Sequence, residues 1–146
     1  MDKLPEGLIL SPELLGLSEI EVISVKLTRD GSIHIFVKST RKEILCKKCN
    51  GPTTPHGSGP PLKLRHLSIL DHEVYIEIQS PRGICQRCDD HPTTTQTLDW
   101  FSHHGHNTKP YEDYLMRQLI GSTQTDVARK EGVTEEILQN IIDHYQ

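Results

Sequence analysis

The 146-residue sequence has few of the residues that build a large core. Only 34% of its residues are apolar and 5% are aromatic, with 1 tryptophan and 2 phenylalanines. A unit of ~60 residues buries only about 60% of the surface that its unfolded chain exposes, so it is marginally stable. Such units usually need a metal or disulfides as a staple. We therefore expect one domain, or two small ones, with a staple.

The sequence also lacks secretion and membrane signals. The N-terminus, MDKLPEGLIL, has no basic region followed by a long apolar run, so it is not a secretory signal. No stretch approaches the ~20 apolar residues of a membrane span. These absences predict a cytoplasmic protein with no membrane partner, in a compartment where disulfides rarely persist.

The charge is unevenly distributed along the chain. The net charge is -4, which argues mildly against nucleic-acid binding. However, the segment from residue 38 to 48 carries five basic residues against one acid, Glu43. A locally basic surface can still bind phosphates, because screening limits the relevant range to about 10 Å. A solvated lysine cluster is the alternative interpretation.

The 4 cysteines form two CxxC pairs, CKKC at Cys46 and Cys49 and CQRC at Cys85 and Cys88. This spacing lets both sulfurs of a tight turn face one point, so two pairs predict a tetrahedral site for one structural Zn²⁺. Four thiolates close the site, which excludes a catalytic role for the metal. The 35 residues between the pairs exceed the usual gap of about 15 to 20, and a β-hairpin would account for the excess.

Three alternatives for the cysteines are weaker. An iron site would use the same four sulfurs, and the sequence does not separate it from zinc. A thioredoxin-like redox pair needs a βαβ context that neither pair has, and a disulfide framework needs secretion. For the histidines, a second metal at His103, His104 and His106 would suit a metalloenzyme, but an exposed polar loop is the better interpretation.

The first half of the chain favours strands. Ser11 and Pro12 predict the start of a short helix. EVISVKLTRDGSIHIFVKS predicts a hairpin turning at Asp30-Gly31, with Ile23, Val25 and Leu27 on one apolar row. The second strand places Ile33, Ile35 and Val37 on the other row. GPTTPHGSGPP is expected to be a loop, followed by two strands that turn at Asp71-His72 and carry apolar rows at Leu62 and Leu64 and at Val74, Ile76 and Ile78. DDHPTTTQTLDWFSHHGHNTKP is expected to be loop or linker.

The sequence pattern of the last third predicts helices with the spacing of a helix-turn-helix. Tyr111 and Leu115 share one face of the first helix, and Gly132 makes the turn. The candidate N-caps are Ser122 or Thr123 for the second helix and Thr134 for the third. The last helix would present Thr134, Gln139 and Asn140 to DNA, since Gln and Asn can read adenine edges. Glu135 and Glu136 would repel phosphate, so a helical hairpin that packs on the rest of the protein or on a partner is the alternative. This helix lacks a C-cap signal, and we expect the chain to be truncated there.

These elements predict an α+β fold in which a small β-rich zinc ribbon with an N-terminal hairpin precedes a helix-turn-helix. The predicted division is a helix and hairpin at 1–45, a ribbon at 46–98, a linker at 99–109 and a helix-turn-helix at 110–146.

This order of parts resembles the N-terminal region of ISL-three-type insertion-sequence transposases. That family has a CPxCG knuckle, a His-Gly, an Arg-Asp-Leu segment, a strand and an RRFRCPxC knuckle. The matching positions here are Cys46, Cys49, His56, Gly57, Arg65, Leu67, Arg82, Cys85 and Cys88. His66 stands where the family has Asp, and SPRGIC is less basic than the family's segment. The likeness covers about residues 46 to 142.

The resemblance implies a prokaryotic, nucleoid-associated module that binds double-stranded DNA at transposon terminal inverted repeats. The family's catalytic DDE domain is expected to be absent, so the chain would not be an enzyme and would take no small-molecule substrate. A homodimer is a further candidate assembly, and a zinc-stabilised protein-interaction or dimerisation module is the alternative function. The candidate DNA contacts are Lys42, Lys47, Lys48, His56, Lys63, Arg65, Arg82, Arg87, Thr134, Gln139 and Asn140.

Overall fold

The fold combines one sheet with a helical C-terminal part, as the predicted α+β class requires. The computed structural model describes residues 10–101 and 105–145, and within these ranges it has five strands and four helices. The elements are α1 (Pro12–Leu15), β1 (Ile20–Leu27), β2 (Ile33–Ser39), β3 (Thr54–Ile69), β4 (His72–Ile84), β5 (Thr93–Thr95), α2 (Lys109–Gln118), α3 (Gln124–Glu131) and α4 (Glu135–His144). The fold class is therefore confirmed. None of the helices in the described ranges has the length and apolar character that a membrane-spanning segment needs.

The strands form a single sheet in the order β1-β2-β4-β3, with β5 paired to the end of β4. β2 and β4 are parallel, and the other pairs are antiparallel. The central strands bury the alternating apolar rows that the sequence predicted, with Ile35 opposite Ile76 at the middle of the parallel pair. One sheet thus spans the predicted boundary at residue 45, and the division into separate units remains a prediction.

The apolar row predicted for β1 is wrong. Val25 is buried, but Ile23 and Leu27 are 58% and 49% exposed. Between Val22 and Ser24 the register against β2 shifts by one residue, because Ile23 is an additional residue on β1. A β-bulge of this kind moves the following side chains to the other face. The buried positions are therefore Ile20 and Val25, with Val22 packed against the same core.

The Gly/Pro-rich stretch predicted as a loop is, from Thr54 onward, the first half of β3. Proline is compatible with this position because β3 lies at the edge of the sheet, and prolines in sheets occur on edge strands and at bulges. The pairing with β4 is interrupted by register shifts between Pro55 and Ser58 and between Ser58 and Pro61. The β3–β4 turn lies at Leu70 and Asp71, one residue before the predicted turn, and both residues have positive φ.

The segment expected to be loop or linker is well anchored. It contains β5, and its Leu98, Trp100 and Phe101 are buried in the sheet's core. The indole Nε1 of Trp100 donates to the carbonyl oxygen of Ser18 at 3.0 Å. The aromatic residues that the composition showed to be scarce thus close the sheet's apolar face.

The three C-terminal helices share a second core. Tyr111, Leu115 and Leu138 are fully buried in it, and Leu67 of β3 packs against it. The predicted caps are confirmed: Thr123 and Thr134 accept from backbone N–H groups of α3 and α4, and Gly132 ends α3 at a φ of 69°. Tyr111 and Tyr114 both donate to Glu131 at 3.0 Å, which fastens α2 to the end of α3.

Candidate zinc centre and nucleic-acid interface

The β3–β4 hairpin brings the two cysteine pairs together. Its base pairs Thr54 with Ile84, so the segment after Cys49 and the segment before Cys85 meet at one end of the sheet. The hairpin takes up most of the 35 residues between the pairs, as the sequence predicted. Gly83 is necessary there, since a Cβ on it would lie 2.1 Å from Oγ1 of Thr53. The two segments therefore pack closely at this base.

The first pair lies in a tight turn closed by backbone hydrogen bonds. The N–H of Cys46 donates to the carbonyl oxygen of Gly51 at 2.8 Å, and the N–H of Asn50 donates to the carbonyl oxygen of Cys46 at 2.9 Å. Asn50 has a φ of 57°, which Asn tolerates better than most residues. At Gly51 a Cβ would lie 2.9 Å from Nη1 of Arg87 and 3.2 Å from Sγ of Cys49, so a larger residue would displace the Arg87 side chain and crowd the Cys49 sulfur.

The second pair is held in a similar way just after β4. The N–H of Cys85 donates to the carbonyl oxygen of Pro92 at 3.0 Å, and the N–H of His91 donates to that of Cys88 at 3.0 Å. Nδ1 of His91 also lies 3.0 Å from the carbonyl oxygen of Cys85, so it carries the hydrogen of that bond. These bonds fold the second pair into a tight turn, as in the first pair.

The four sulfur atoms form one cluster, all within 4.8 Å of one another. Sγ of Cys46 is 3.9 Å from Sγ of Cys88, and Sγ of Cys49 is 3.6 Å from Sγ of Cys85. A disulfide would need about 2.05 Å, and the cysteines are free. Tetrahedral Zn–S bonds of about 2.3 Å require sulfurs roughly 3.8 Å apart. The cluster could therefore hold a metal ion, and its geometry is consistent with zinc.

The backbone around Cys46 favours the thiolate form that a metal requires. Hydrogen bonds from the N–H groups of Cys49 and Lys48 lower the pKa of the Cys46 thiol to about 6. The N–H of Lys48 lies 3.4 Å from that sulfur. Cys46 and Cys85 are buried, whereas Cys49 is exposed. The donor set has no open position for a substrate, which fits a structural ion.

The helical part contains two helices joined by a short turn. α3 ends at Glu131, and α4 begins at Glu135, so three residues separate the helices. Val127 and Ala128 of α3 and Leu138 of α4 are buried where the helices cross. At the solvent side, Thr125 donates to Glu135 at 3.1 Å. This is the arrangement of a helix-turn-helix, with α4 as the second helix.

The C-terminal part of the chain matches a known protein family. Residues 96–146 match the family described as the helix-turn-helix domain of transposase family ISL3. This part of the chain is similar to the helix-turn-helix domains of ISL3-type transposases. The predicted family likeness is thus confirmed for the C-terminal third, while the zinc-binding part rests on its four-cysteine cluster. No curated protein and no solved structure matches the chain.

The three DNA contacts predicted in the helix-turn-helix region differ in how free their side chains are to bind DNA. Oγ1 of Thr134 caps α4 by accepting from the N–H of Ile137. Gln139 is exposed, but its amide accepts from Gln124 at 3.1 Å and donates to Asp143 at 2.9 Å. Asn140 is also exposed, beside a cavity of about 270 Å³ between α4 and residues 105–107.

The predicted contacts near the cysteines are mostly exposed at one end of the sheet. Lys42, Lys47, His56 and Arg87 are exposed, and Arg82 is half-buried. Lys48 is exposed as well, but its ammonium forms an ion pair with Asp90. The end of the molecule that carries the cysteine cluster therefore also carries a group of cations, as the basic run in the sequence suggested.

Two of the predicted DNA contacts on β3 interact with other side chains of the protein. Arg65 is only 7% exposed; its Nη1 forms an ion pair with Glu73 at 2.8 Å, and its guanidinium lies over the ring of Tyr111. Its backbone N–H donates to the carbonyl oxygen of His106. Lys63 is exposed and lies over the ring of Tyr75, with Nζ 4.9 Å from the centroid. Arg65 thus joins the sheet to α2, and we leave it out of the proposed DNA surface.

Other candidate cations were missed by the sequence interpretation. Arg129 and Lys130 are exposed in the last turn of α3, beside the turn of the helix-turn-helix, and Arg129 pairs with Asp126 at 3.2 Å. Two adjacent basic residues before Gly132 were the available signal. The second metal site considered for the HHGH stretch involves His103 and His104, which lie outside the described residues. His106 is exposed.

Proposed function

We propose that the chain is the zinc-stapled DNA-recognition module of a transposase, and that it binds the terminal inverted repeats of its element. The observation that carries this proposal is the match of residues 96–146 to the ISL3 helix-turn-helix domain, on a segment whose α3, turn and α4 have the corresponding geometry. In such motifs the second helix enters the major groove. α4 would therefore read base edges.

The cysteine cluster supports the same function indirectly. One Zn²⁺ on Cys46, Cys49, Cys85 and Cys88 would fasten the end of the β3–β4 hairpin, where Lys42, Lys47, His56, Arg82 and Arg87 lie. A rigid cationic end can contact the phosphate backbone and set the register of the protein on the duplex. Lys63 extends this surface, and Lys48 would join it on release from Asp90.

Within the helix-turn-helix we propose Asn140 as the principal base contact. Gln139 is engaged by Gln124 and Asp143, so it must exchange existing hydrogen bonds for those to a base. Thr134 serves α4 as its cap and can reach a phosphate only from that position. Cations at the end of α3 would supply nearby phosphate contacts.

We propose further that this chain binds DNA without cleaving it. The matched region is a helix-turn-helix domain, the kind of domain that binds DNA, and strand cleavage and joining would be the work of a separate catalytic domain. Binding to chromosomal elements would place the protein in the prokaryotic cytoplasm, with the nucleoid.

The direct test is a mobility-shift assay with the zinc-loaded chain and duplexes that copy the inverted repeats flanking its coding sequence. The control is a shuffled duplex of the same length and composition. We expect the end duplex to shift at lower protein concentration than the shuffled one. No shift of either duplex at low salt, with zinc verified in the sample, would exclude the proposal.

The alternative, a protein-interaction or dimerisation module, is favoured by the charge of α4. Three acidic residues of α4 are exposed and would repel phosphate, namely Glu135, Glu136 and Asp143. Glu135 is partly engaged by Thr125, which reduces this objection but does not remove it. A stable oligomer that is indifferent to DNA, measured by light scattering with and without the end duplex, would support this alternative.

A further inference from the structure

A cleft of about 230 Å³ lies beside the cysteine cluster, between the segment that leads into Cys46 and the β3–β4 hairpin. Two cations line it, Lys42 from one side and Arg82 from the other, and Glu43 is the one acidic residue among its lining residues. Three prolines form much of the remaining wall, and they have no N–H to donate. Any anion in the cleft would therefore be held mainly by the two cations.

A β-bulge opens the cleft directly opposite Arg82. On β3 and β4, Pro55 pairs with Gly83 and Ser58 pairs with Pro81, so His56 and Gly57 together oppose the single residue Arg82. Gly57 has a φ of 70°, in the left-handed region that glycine adopts without strain. Bulges bend a strand locally and re-aim the neighbouring side chains. The His-Gly pair noticed in the sequence thus shapes the space in front of Arg82.

The Nη2 atom of the Arg82 guanidinium is anchored, whereas its Nε has no partner in the described part of the chain. Its Nη2 donates to Oγ1 of Thr93 on β5 at 2.8 Å. Its Nε is buried and has no hydrogen-bond partner among the residues that the structure describes. A buried unpaired donor on a permanent cation is costly and needs an explanation. A phosphate oxygen is the acceptor that suits an arginine best, since guanidinium and phosphate pair through short, charge-assisted bonds.

We propose that this cleft binds one phosphodiester group of the DNA backbone, with Arg82 donating from Nε and Lys42 from its ammonium. The two cations exceed the charge of Glu43, so the cleft favours an anion. Lys47 and Arg87 lie at the same end of the sheet and continue the cationic surface along the backbone. The inference rests on the proposed function, and it identifies one phosphate subsite that positions the ribbon on the duplex.

The salt dependence of binding tests this subsite. We compare zinc-loaded wild type with Lys42→Ala and Arg82→Gln on the end duplex, with zinc content and melting temperature as folding controls. Loss of one phosphate contact should reduce the slope of log K against log salt by about 0.9. Arg82→Lys, which keeps the charge but removes the Nε donor, should keep the slope and weaken binding. Arg29→Gln is the matched control, because Arg29 is exposed at the β1–β2 turn, at the opposite end of β4.

Neutral phosphates locate the contact on the DNA. Methylphosphonate is substituted at one backbone position at a time. At one position the substitution should weaken the binding of wild type. The same substitution should not weaken the binding of Lys42→Ala or Arg82→Gln any further. Unchanged salt slopes in both variants, or no such position while DNA binding persists, would overturn the subsite and leave the proposed function standing.

A titration without DNA distinguishes a failure of the phosphate subsite from a failure of the proposed function. Inorganic phosphate should shift the NMR signal of the Arg82 Nε–H in wild type and not in Lys42→Ala. A shift with no DNA binding would mean that the proposed function fails and that the cleft holds only a free anion, which overturns the backbone contact. Absence of a shift alongside DNA binding would overturn the cleft as an anion site.

Discussion

The hydroxyl of Thr108 lies 2.7 Å from Nδ1 of His66, and on the other edge of the ring Nε2 lies 2.9 Å from the carbonyl oxygen of Leu15. A carbonyl can only accept, so Nε2 carries the ring hydrogen and Nδ1 accepts from Thr108. Thr108 in turn accepts from the N–H of Tyr111 as the N-cap of α2. A neutral His66 therefore links α1, the sheet and the helix-turn-helix region through satisfied hydrogen bonds.

The first prediction concerns the pH dependence of this link. Burial lowers the pKa of His66 below its ordinary value of 6.5, so folding favours the neutral ring. The stability that His66 contributes is complete above pH 6.5 and is lost as the pH falls through the lower, folded-state pKa. An NMR titration of the His66 ring should give a pKa below 6.5. A pKa at or above that value would contradict the hydrogen-bond assignment.

The second prediction concerns the cap itself. Thr108→Ala removes the oxygen that accepts from Tyr111 and the donor to His66, so the free energy of unfolding should fall by about 1–2 kcal/mol. Thr108→Ser keeps the hydroxyl and is the matched control. Urea unfolding measures both variants. Equal stability of the alanine and serine variants would show that the hydroxyl bonds contribute little.

The third prediction concerns the metal. Elemental analysis should find one zinc per chain, and Cys85→Ser should lose the metal together with the folded ribbon, because zinc binding in such sites supplies folding free energy of about 10 kcal/mol or more. A chelator should unfold wild type in the same way, and added zinc should restore it. If Cys85→Ser keeps its zinc and its melting temperature, the four-thiolate assignment is wrong.

The fourth prediction distinguishes two neighbouring amides on α4. Asn140→Ala should lower the preference for one base pair by about 1–3 kcal/mol. Gln139→Ala should cost less, because the Gln139 amide is already bonded to Gln124 and Asp143. A panel of end duplexes with single base-pair changes measures both. The opposite ranking would mean that Gln139 exchanges its intramolecular bonds for a base.

Local patterns in the sequence were sufficient for much of this structure. The alternation in β2, the caps Thr123 and Thr134 and the stop at Gly132 depend on neighbours a few residues away, and they were predicted correctly. The cysteine spacing likewise predicted the cluster. In each case the residues that form the feature are near neighbours in the sequence or share a recognisable motif, such as the two CxxC pairs.

What could not be predicted depends on distant partners. Ile23 is exposed because of the register of β1 against β2, and the proline-rich half of β3 is a strand because β4 pairs with it. Arg65 looked like a phosphate contact, but Glu73 and Tyr111 surround it in the folded chain. None of these partners is evident from the residue's own neighbourhood in the sequence.

The central claim is that a zinc-stapled module recognises transposon ends, and a competition titration tests it most directly. A labelled inverted-repeat duplex is bound to the chain, with zinc and after chelation, and unlabelled end and shuffled duplexes compete at several salt concentrations. The account predicts that end duplex competes more effectively, that affinity falls steeply and linearly on a log–log salt plot, and that chelation abolishes the preference until zinc is restored. Equal competition by both duplexes, or a preference that survives chelation, would contradict it.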